Sequence, residues 1–204
     1  MNYFSYKIDH DYGLAPNPFG EYCTLSVCKP TIRKNKNLNK GDWIIGTGSK
    51  QLKKNHHLIF AMKVDGKLTF EDYWEDERFQ YKKPALNGSL VQLYGDNFYH
   101  KDENGNWVQE ESAHSIVDKK EHIKNDTNGK YAVYSREFYY FGDQSPEIPK
   151  EYWDVCSEGR NMKSKSIDKI IAGKFINWLE TNFSQGIKGD PINWSEYKQT
   201  KLIV

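Results

Sequence analysis

Through the first third of the chain, apolar residues come in short runs separated by polar ones, which is the spacing of strands. Tyr3 to Ile8 alternates as a first strand. Tyr22 to Val27 predicts a second, stopped by Lys29-Pro30, and Asp42 to Thr47 a third. Leu58 to Val64 predicts a fourth, continuous and apolar enough to be central. Between the first two lies Ala15-Pro16-Asn17-Pro18-Phe19, where two closely spaced prolines force an extended path. Asp65-Gly66 reads as a turn, Phe70 to Phe79 as a short helix or aromatic loop, and Leu90 to Tyr94 as another strand broken by Gly95-Asp96-Asn97. Residues 102–130 form a long polar excursion with turns at Asn104-Gly105 and Asn128-Gly129, and long loops of this kind are usually functional. Tyr131 to Tyr134 and Phe138 to Phe141 follow as a closing pair of strands.

The period changes once. Ile167, Ile170, Ile171, Phe175, Trp178 and Leu179 fall on one face at helical spacing, with Ser166 available as a cap, which predicts a packed helix over 166–183. Six or seven short strands with one late helix predict an α+β fold. The expected architecture is a twisted, mostly antiparallel sheet closing toward a small β-barrel, with peripheral helices, in a single domain over 1–204.

Composition sharpens this picture at three points. Aromatic residues reach 15% while apolar residues total only 37%, so Tyr, Phe and Trp must supply much of the buried area, and some can line a wet pocket. The net charge of +1 is small for a protein that holds duplex DNA mainly by its phosphates. Yet Lys29, Arg33, Lys34, Lys36 and Lys40 share an acid-free stretch, either a solvated loop face or a rim that meets phosphate. Cys23, Cys28 and Cys156 are odd in number and lack disulfide-framework spacing. With no apolar run near about 18 residues and no signal-peptide pattern at the start, a cytoplasmic protein with reduced cysteines is expected, away from membranes. The sequence leaves the oligomeric state open.

Four motifs carry candidate chemistry. Cys23 and Cys28 read as opposite faces of a strand; either is an inert buried thiol or a nucleophile helped by Lys29. No CxxC or paired-His spacing completes a metal site, so neither metal nor cofactor is expected. Gly46-Thr47-Gly48-Ser49-Lys50 at a strand end offers amides, hydroxyls and an ammonium to a phosphate, or is simply a tight turn. It lacks P-loop spacing. Tyr94-Gly95-Asp96-Asn97-Phe98-Tyr99-His100, with His114-Ser115 and His122 downstream, gathers groups that can read a base edge or move a proton. Tyr73, Trp74, Phe79, Tyr139, Tyr140 and Phe141 supply rings, most of them for the core and two or three at most for stacking a base.

The segments APNPFGEYCTLSVCKPTIRK, GDWIIGTGSK, YGDNFYH, AHS and SREFYYFG together resemble the nucleotide-modification-associated domain family, second type, from about Tyr3 to Gly142. That resemblance implies involvement with modified nucleotides in phage or bacterial DNA-modification or defence settings. A Gly-Asp-Trp strand, an Ile-Phe-Ala-Met-Lys-Val strand and a Tyr-Trp-x-Asp-x-x-Phe segment are also similar to the PUA-like group, including EVE and YTH modules. Those are small barrels with aromatic cages for modified bases, although the chain beyond Asp65 lacks their basic belt.

The leading expectation is a module that binds a nucleotide or modified base, with nucleic acid a further partner. Trp43 and Tyr140 would wall the pocket, Asp96, Asn97 and His100 would read the base, and Lys29, Thr47, Gly48, Ser49 and Lys50 would attend the phosphate. The rival is an enzyme using His100 or His114 as acid–base with Asp96 as partner. A third reading is sequestration of a nucleotide signal or blocking of a defence protein. Residues 46–49 and 95–100 are expected to share one pocket.

Overall fold

In the computed structural model, which describes residues 1–114, 121–159 and 162–200, the chain divides into two compact units, each assembled from separated stretches. The first comprises Met1–Tyr12, Asn39–Val64 and Arg136–Val204; the second, Gly13–Leu38 and Asp65–Ser135.

The first unit is built on a five-stranded sheet. Its strands are β1 (Tyr3–Ile8), β3 (Trp43–Gly48), β4 (Leu58–Lys63), β9 (Glu137–Tyr140) and β10 (Gly186–Ile187), side by side in that order. The continuous apolar run of β4 places it centrally, as its sequence predicts. β1 lies parallel to β3 and β10 to β9, whereas the β3–β4 and β4–β9 pairs are antiparallel. Asp42 sets the register at one end: its carboxylate accepts from the Asn2 amide at 2.6 Å and the Asn39 amide at 2.9 Å. The late helix, Lys169–Asn182, lays Ala172, Phe175, Ile176 and Leu179 against Tyr3, Trp43, Ile45, Ala61 and Tyr139 of the sheet. Its start differs from the sequence expectation. Asp168, not Ser166, is the cap, accepting from the amides of Ile170 and Ile171 at 2.7 and 3.1 Å.

In the second unit, β2 (Cys23–Leu25), β8 (Tyr131–Ser135) and β5 (Gly66–Thr69) form an antiparallel sheet with β8 in the middle. β6 (Tyr99–Lys101) and β7 (Trp107–Gln109) form a hairpin whose second strand lies in the stretch read as an excursion. Short helices are α1 (Pro30–Arg33), α2 (Phe70–Glu75), α3 (Leu90–Leu93) and α4 (Glu121–Thr127). One aromatic cluster joins Tyr22, Tyr73 and Phe79 with Ala132, and another joins Val27, Phe70, Phe98 and Tyr99.

The fold is mixed α+β, and five of the seven strand pairings among the described residues are antiparallel. No barrel closes among those residues, because closure needs the two edge strands of a sheet to pair. The expected closing pair is the point of departure. β8 and β9 do not pair with each other: Ala132 of β8 joins the cluster around Tyr22 and Phe79, while Tyr139 of β9 joins the one around Trp43.

Two local expectations also change. Leu90–Leu93 is helical because Ser89 and Gln92 form a capping box: the Ser89 hydroxyl accepts from the Gln92 amide, and the Gln92 side chain from the Ser89 amide. Gly66 opens β5 rather than completing a turn, with Asp65 donating its amide to the Tyr134 carbonyl at 3.0 Å. No described helix is long and apolar enough to cross a membrane.

Candidate active site

Two polar centres lie within the second unit, and they differ in how completely their groups are used. The first is built around Asp96, the acid of the Gly-Asp-Asn motif, which is buried. Its carboxylate accepts from the hydroxyls of Tyr73, Thr24 and Ser26 at 2.7, 2.8 and 2.9 Å. Thr24 and Ser26 arrive from β2 and its continuation, and Tyr73 from α2. Burial, reinforced by the negative Asp96, pushes the Tyr73 hydroxyl well above its ordinary value, so it remains a donor. The Asn97 side chain donates to the carbonyls of Tyr73 and Phe79 at 2.9 and 3.2 Å.

Lys82 belongs to the same interior, at 2% exposure. Its ammonium donates to the Asn17 side chain at 2.6 Å, the Asn17 carbonyl at 3.1 Å and the Phe19 carbonyl at 2.9 Å. All three of its protons are thereby committed, which fixes the Pro-rich segment against the turn Glu77–Lys82. Burial pulls Lys82 down to about 8 from an ordinary 10.5, against the opposing pull of Asp96. The unfolded chain therefore holds this proton more tightly. The cost of the buried ammonium is fully present below about pH 8 and fades as the pH rises toward 10.5. Over that window the wild-type protein should gain stability relative to Lys82→Met, in which this contribution is missing. Urea midpoints of the two proteins across the alkaline range check it, and curves that stay parallel would contradict it.

The second centre is built around Asp126, near the C-terminus of α4 and 4% exposed. One carboxylate oxygen accepts from the Cys28 amide at 2.6 Å; the other accepts from the Tyr99 hydroxyl at 3.1 Å and meets His114 Nε2 at 3.2 Å. Arg33, fully buried, lies beside it with Nη2 3.8 Å from the first of those oxygens. The guanidinium also donates to three backbone carbonyls: Nε to Cys28 at 2.7 Å, Nη1 to Tyr131 at 2.9 Å and Nη2 to Asp126 at 2.7 Å. Gly129 is required here, because a Cβ at that position would stand 2.3 Å from the guanidinium carbon. Burial pulls Arg33 down to about 10, opposed by Asp126 and by the nearby Cys28, so it stays charged at neutral pH. Burial and the Asp126 charge raise Tyr99 far above its ordinary value.

Cys28 is the exposed member of this group. It stands beyond the end of β2 with φ +54°, followed by Lys29 at +40°, a left-handed pair that β-carbon-bearing residues seldom adopt. The second strand thus ends earlier than its apolar pattern suggests, and Cys23 and Cys28 are not two faces of one strand. Cys23 is buried on β2, its thiol pushed up to about 12 by burial. The cation beside Cys28 that the sequence reading missed is Arg33, not a solvated loop residue but a buried one.

The other expected site residues lie as follows. Trp43, 1% exposed, packs on Tyr139 in the core of the first unit, and Tyr140 donates its hydroxyl to Asp11 at 2.6 Å. Thr47 and Ser49 are buried, Lys50 is exposed, and a Cβ on Gly48 would stand 2.3 Å from the Lys54 carbonyl, so the tight-turn reading accounts for that glycine. The Thr47 hydroxyl is buried with no hydrogen-bond partner among the described residues. Residues 46–49 belong to the first unit and 95–100 to the second. His100 meets Glu110 at 2.8 Å and stacks on Trp74 at 4.2 Å, while the Lys83 ammonium lies 3.5 Å from the same ring. Neither His100 nor His114 is paired with Asp96: Glu110 and Asp126 hold those positions. Ser115 and the His122 side chain lie outside the described residues. Among those residues, no three His, Cys, Asp or Glu side chains converge as metal ligands would.

Asp126 and Tyr99 escaped the sequence reading. An isolated acid in a polar stretch carries no periodic signal, and Tyr99 enters the reading only as part of the run from Tyr94 to His100, with no role of its own. The family model described as nucleotide modification associated domain 2 matches residues 1–198. No curated protein and no solved structure matches the chain significantly.

Proposed function

The chain belongs to the nucleotide modification associated domain 2 family, and on that footing we propose that it is an enzyme acting on a nucleotide or nucleobase, with His114 as its acid–base group. The observation that carries this reading is the contact of His114 Nε2 with a buried carboxylate at 3.2 Å. A catalytic base is held in place by a third group at such a distance. Asp126 holds the imidazole in one orientation, while Tyr99 and Arg33 hold Asp126. His114 itself is only partly buried, with 13% of its side chain exposed. The Asp96 centre serves differently, since each hydrogen bond to its carboxylate comes from a buried core hydroxyl.

The phosphate role first assigned to the turn at residues 46–50 is weakened by its own geometry. Stacking between Trp43 and Tyr140 is weakened in the same way, because both rings are already packed. Trp74 has His100 and the Lys83 ammonium against its ring.

Incubation of the purified protein with pooled nucleotides and a mixed-sequence oligodeoxynucleotide, followed by mass spectrometry of the products, tests the reading. One component should change mass. His114→Ala should slow that change about 10²–10⁴-fold while leaving the melting temperature within a few degrees. A nucleotide that binds and is recovered unaltered would return the protein to the class of binders.

A further inference from the structure

The geometry points to Cys28 as a covalent nucleophile whose target is the C6 carbon of a pyrimidine base, an inference that rests on the acid–base reading of His114 and Asp126. The three thiols are not equivalent. Cys23 is fully buried and Cys156 is 6% exposed, and burial pushes their thiols up to about 12 and about 11. Cys28 is exposed, and both of its backbone groups are clamped from below: its amide by the Asp126 carboxylate at 2.6 Å, its carbonyl by Arg33 Nε at 2.7 Å. Its thiol is also near enough to Arg33 and Tyr99 for its charge to act on both. The thiolate is the form that attacks. A second carboxylate oxygen of the same Asp126 orients His114. The backbone of the nucleophile and the ring of the acid–base group thus hang on one buried acid, which orients the base as a third group does in nucleophilic sites.

The substrate class follows from what these groups can attack. Phosphorus needs a cradle of donors, but Arg33 is fully buried and spends all three nitrogens on backbone carbonyls. A glycosidic carbon calls for a carboxylate nucleophile, and Asp126 is buried with both oxygens engaged. The C5–C6 double bond of a pyrimidine, conjugated to a carbonyl or imine, is a soft acceptor that adds a thiolate with no leaving group, oxidant or second substrate.

The step balances as follows. The sulfur–C6 bond forms and the C5–C6 π pair moves to C5, where it takes a proton from the protonated His114 or from water. In reverse, a base removes a proton from C5, the double bond reforms and the sulfur leaves as thiolate. The net reaction is exchange of the C5 hydrogen with solvent.

The full chain is incubated in heavy water with deoxycytidine or deoxyuridine monophosphate, and the H5 proton signal is followed. A 5-fluoro analogue is used in parallel, and the denatured protein is weighed for an adduct. The expected result is loss of the H5 signal with the wild-type protein, at least 100-fold slower in Cys28→Ser, and a fluoropyrimidine adduct on the peptide carrying Cys28. Cys28→Ala, checked for an unchanged melting temperature, separates loss of the nucleophile from loss of fold. Exchange that persists in either variant overturns the covalent step. So does a pyrimidine nucleotide that shifts on binding yet shows neither exchange nor adduct. If nucleotide turnover survives Cys28→Ser but fails in His114→Ala, only the covalent step is lost and the acid–base reading stands.

Discussion

Arg33→Met should destabilise the protein by about 3–5 kcal/mol, because it removes one member of a buried charged pair and leaves the other behind. The guanidinium is fully buried, and three backbone carbonyls, those of Cys28, Asp126 and Tyr131, depend on it. Methionine can fill the volume above Phe70, whose ring lies 5.5 Å from the guanidinium carbon. It cannot satisfy those carbonyls or face Asp126. Arg33→Lys should recover little, since one ammonium cannot reach three carbonyls set in a fork. Denaturant unfolding of the single variants and of Arg33→Met combined with Asp126→Asn checks this. The double variant should cost less than the sum of its parts, because the second change removes the charge stranded by the first. Full additivity would mean that the two groups are not coupled.

Asp96→Ala is the second large effect, again about 3–5 kcal/mol, and its character separates structure from catalysis. Three buried hydroxyls, on Thr24, Ser26 and Tyr73, donate to this carboxylate. A buried donor stripped of its acceptor costs about 1–3 kcal/mol, and partial relaxation keeps the total below the simple sum. Lys82 loses its nearby countercharge as well. The unfolding midpoint should therefore fall steeply. A variant that melts like the wild-type protein but has lost activity would instead make Asp96 catalytic.

Much of the first unit can be read from the sequence because its signals are local and strong. β1 runs from Tyr3 to Ile8 as its alternation predicts, β4 is central as its apolar run predicts, and the late helix buries Phe175 and Leu179 as its spacing predicts, although Ile170, read onto the same face, is exposed. The second unit is harder to read. Its strands are only three to five residues long, too few for a period to declare itself. A Val and two Leu suggest a strand over 90–94, where a single Ser–Gln capping pair decides for helix over Leu90–Leu93. His114 was legible as candidate chemistry, but its partner was not. Asp96 lies 18 positions before it and Asp126 12 after, and only the fold determines which carboxylate it meets. Cys28 was weighed as a nucleophile on the strength of Lys29, while the cation that matters, Arg33, looked like one of several loop charges. Burial is what sets Arg33 apart, and burial is a property of the assembled chain.

Because the second unit is composed of residues 13–38 and 65–135, all of it has been synthesised once Ser135 is made. The first unit is still incomplete then, since β9 begins at Glu137 and the helix that covers the sheet ends at Asn182. Phe60 must wait through 80 further residues for its partner Tyr140. Pairings of such long range form slowly, so during synthesis β4 spends its time with its antiparallel neighbour β3 on one side and an open edge on the other. The part of the molecule that carries Cys28, His114 and Asp126 is thus the part that can settle first. The sheet of the first unit is the step for which a nascent chain waits.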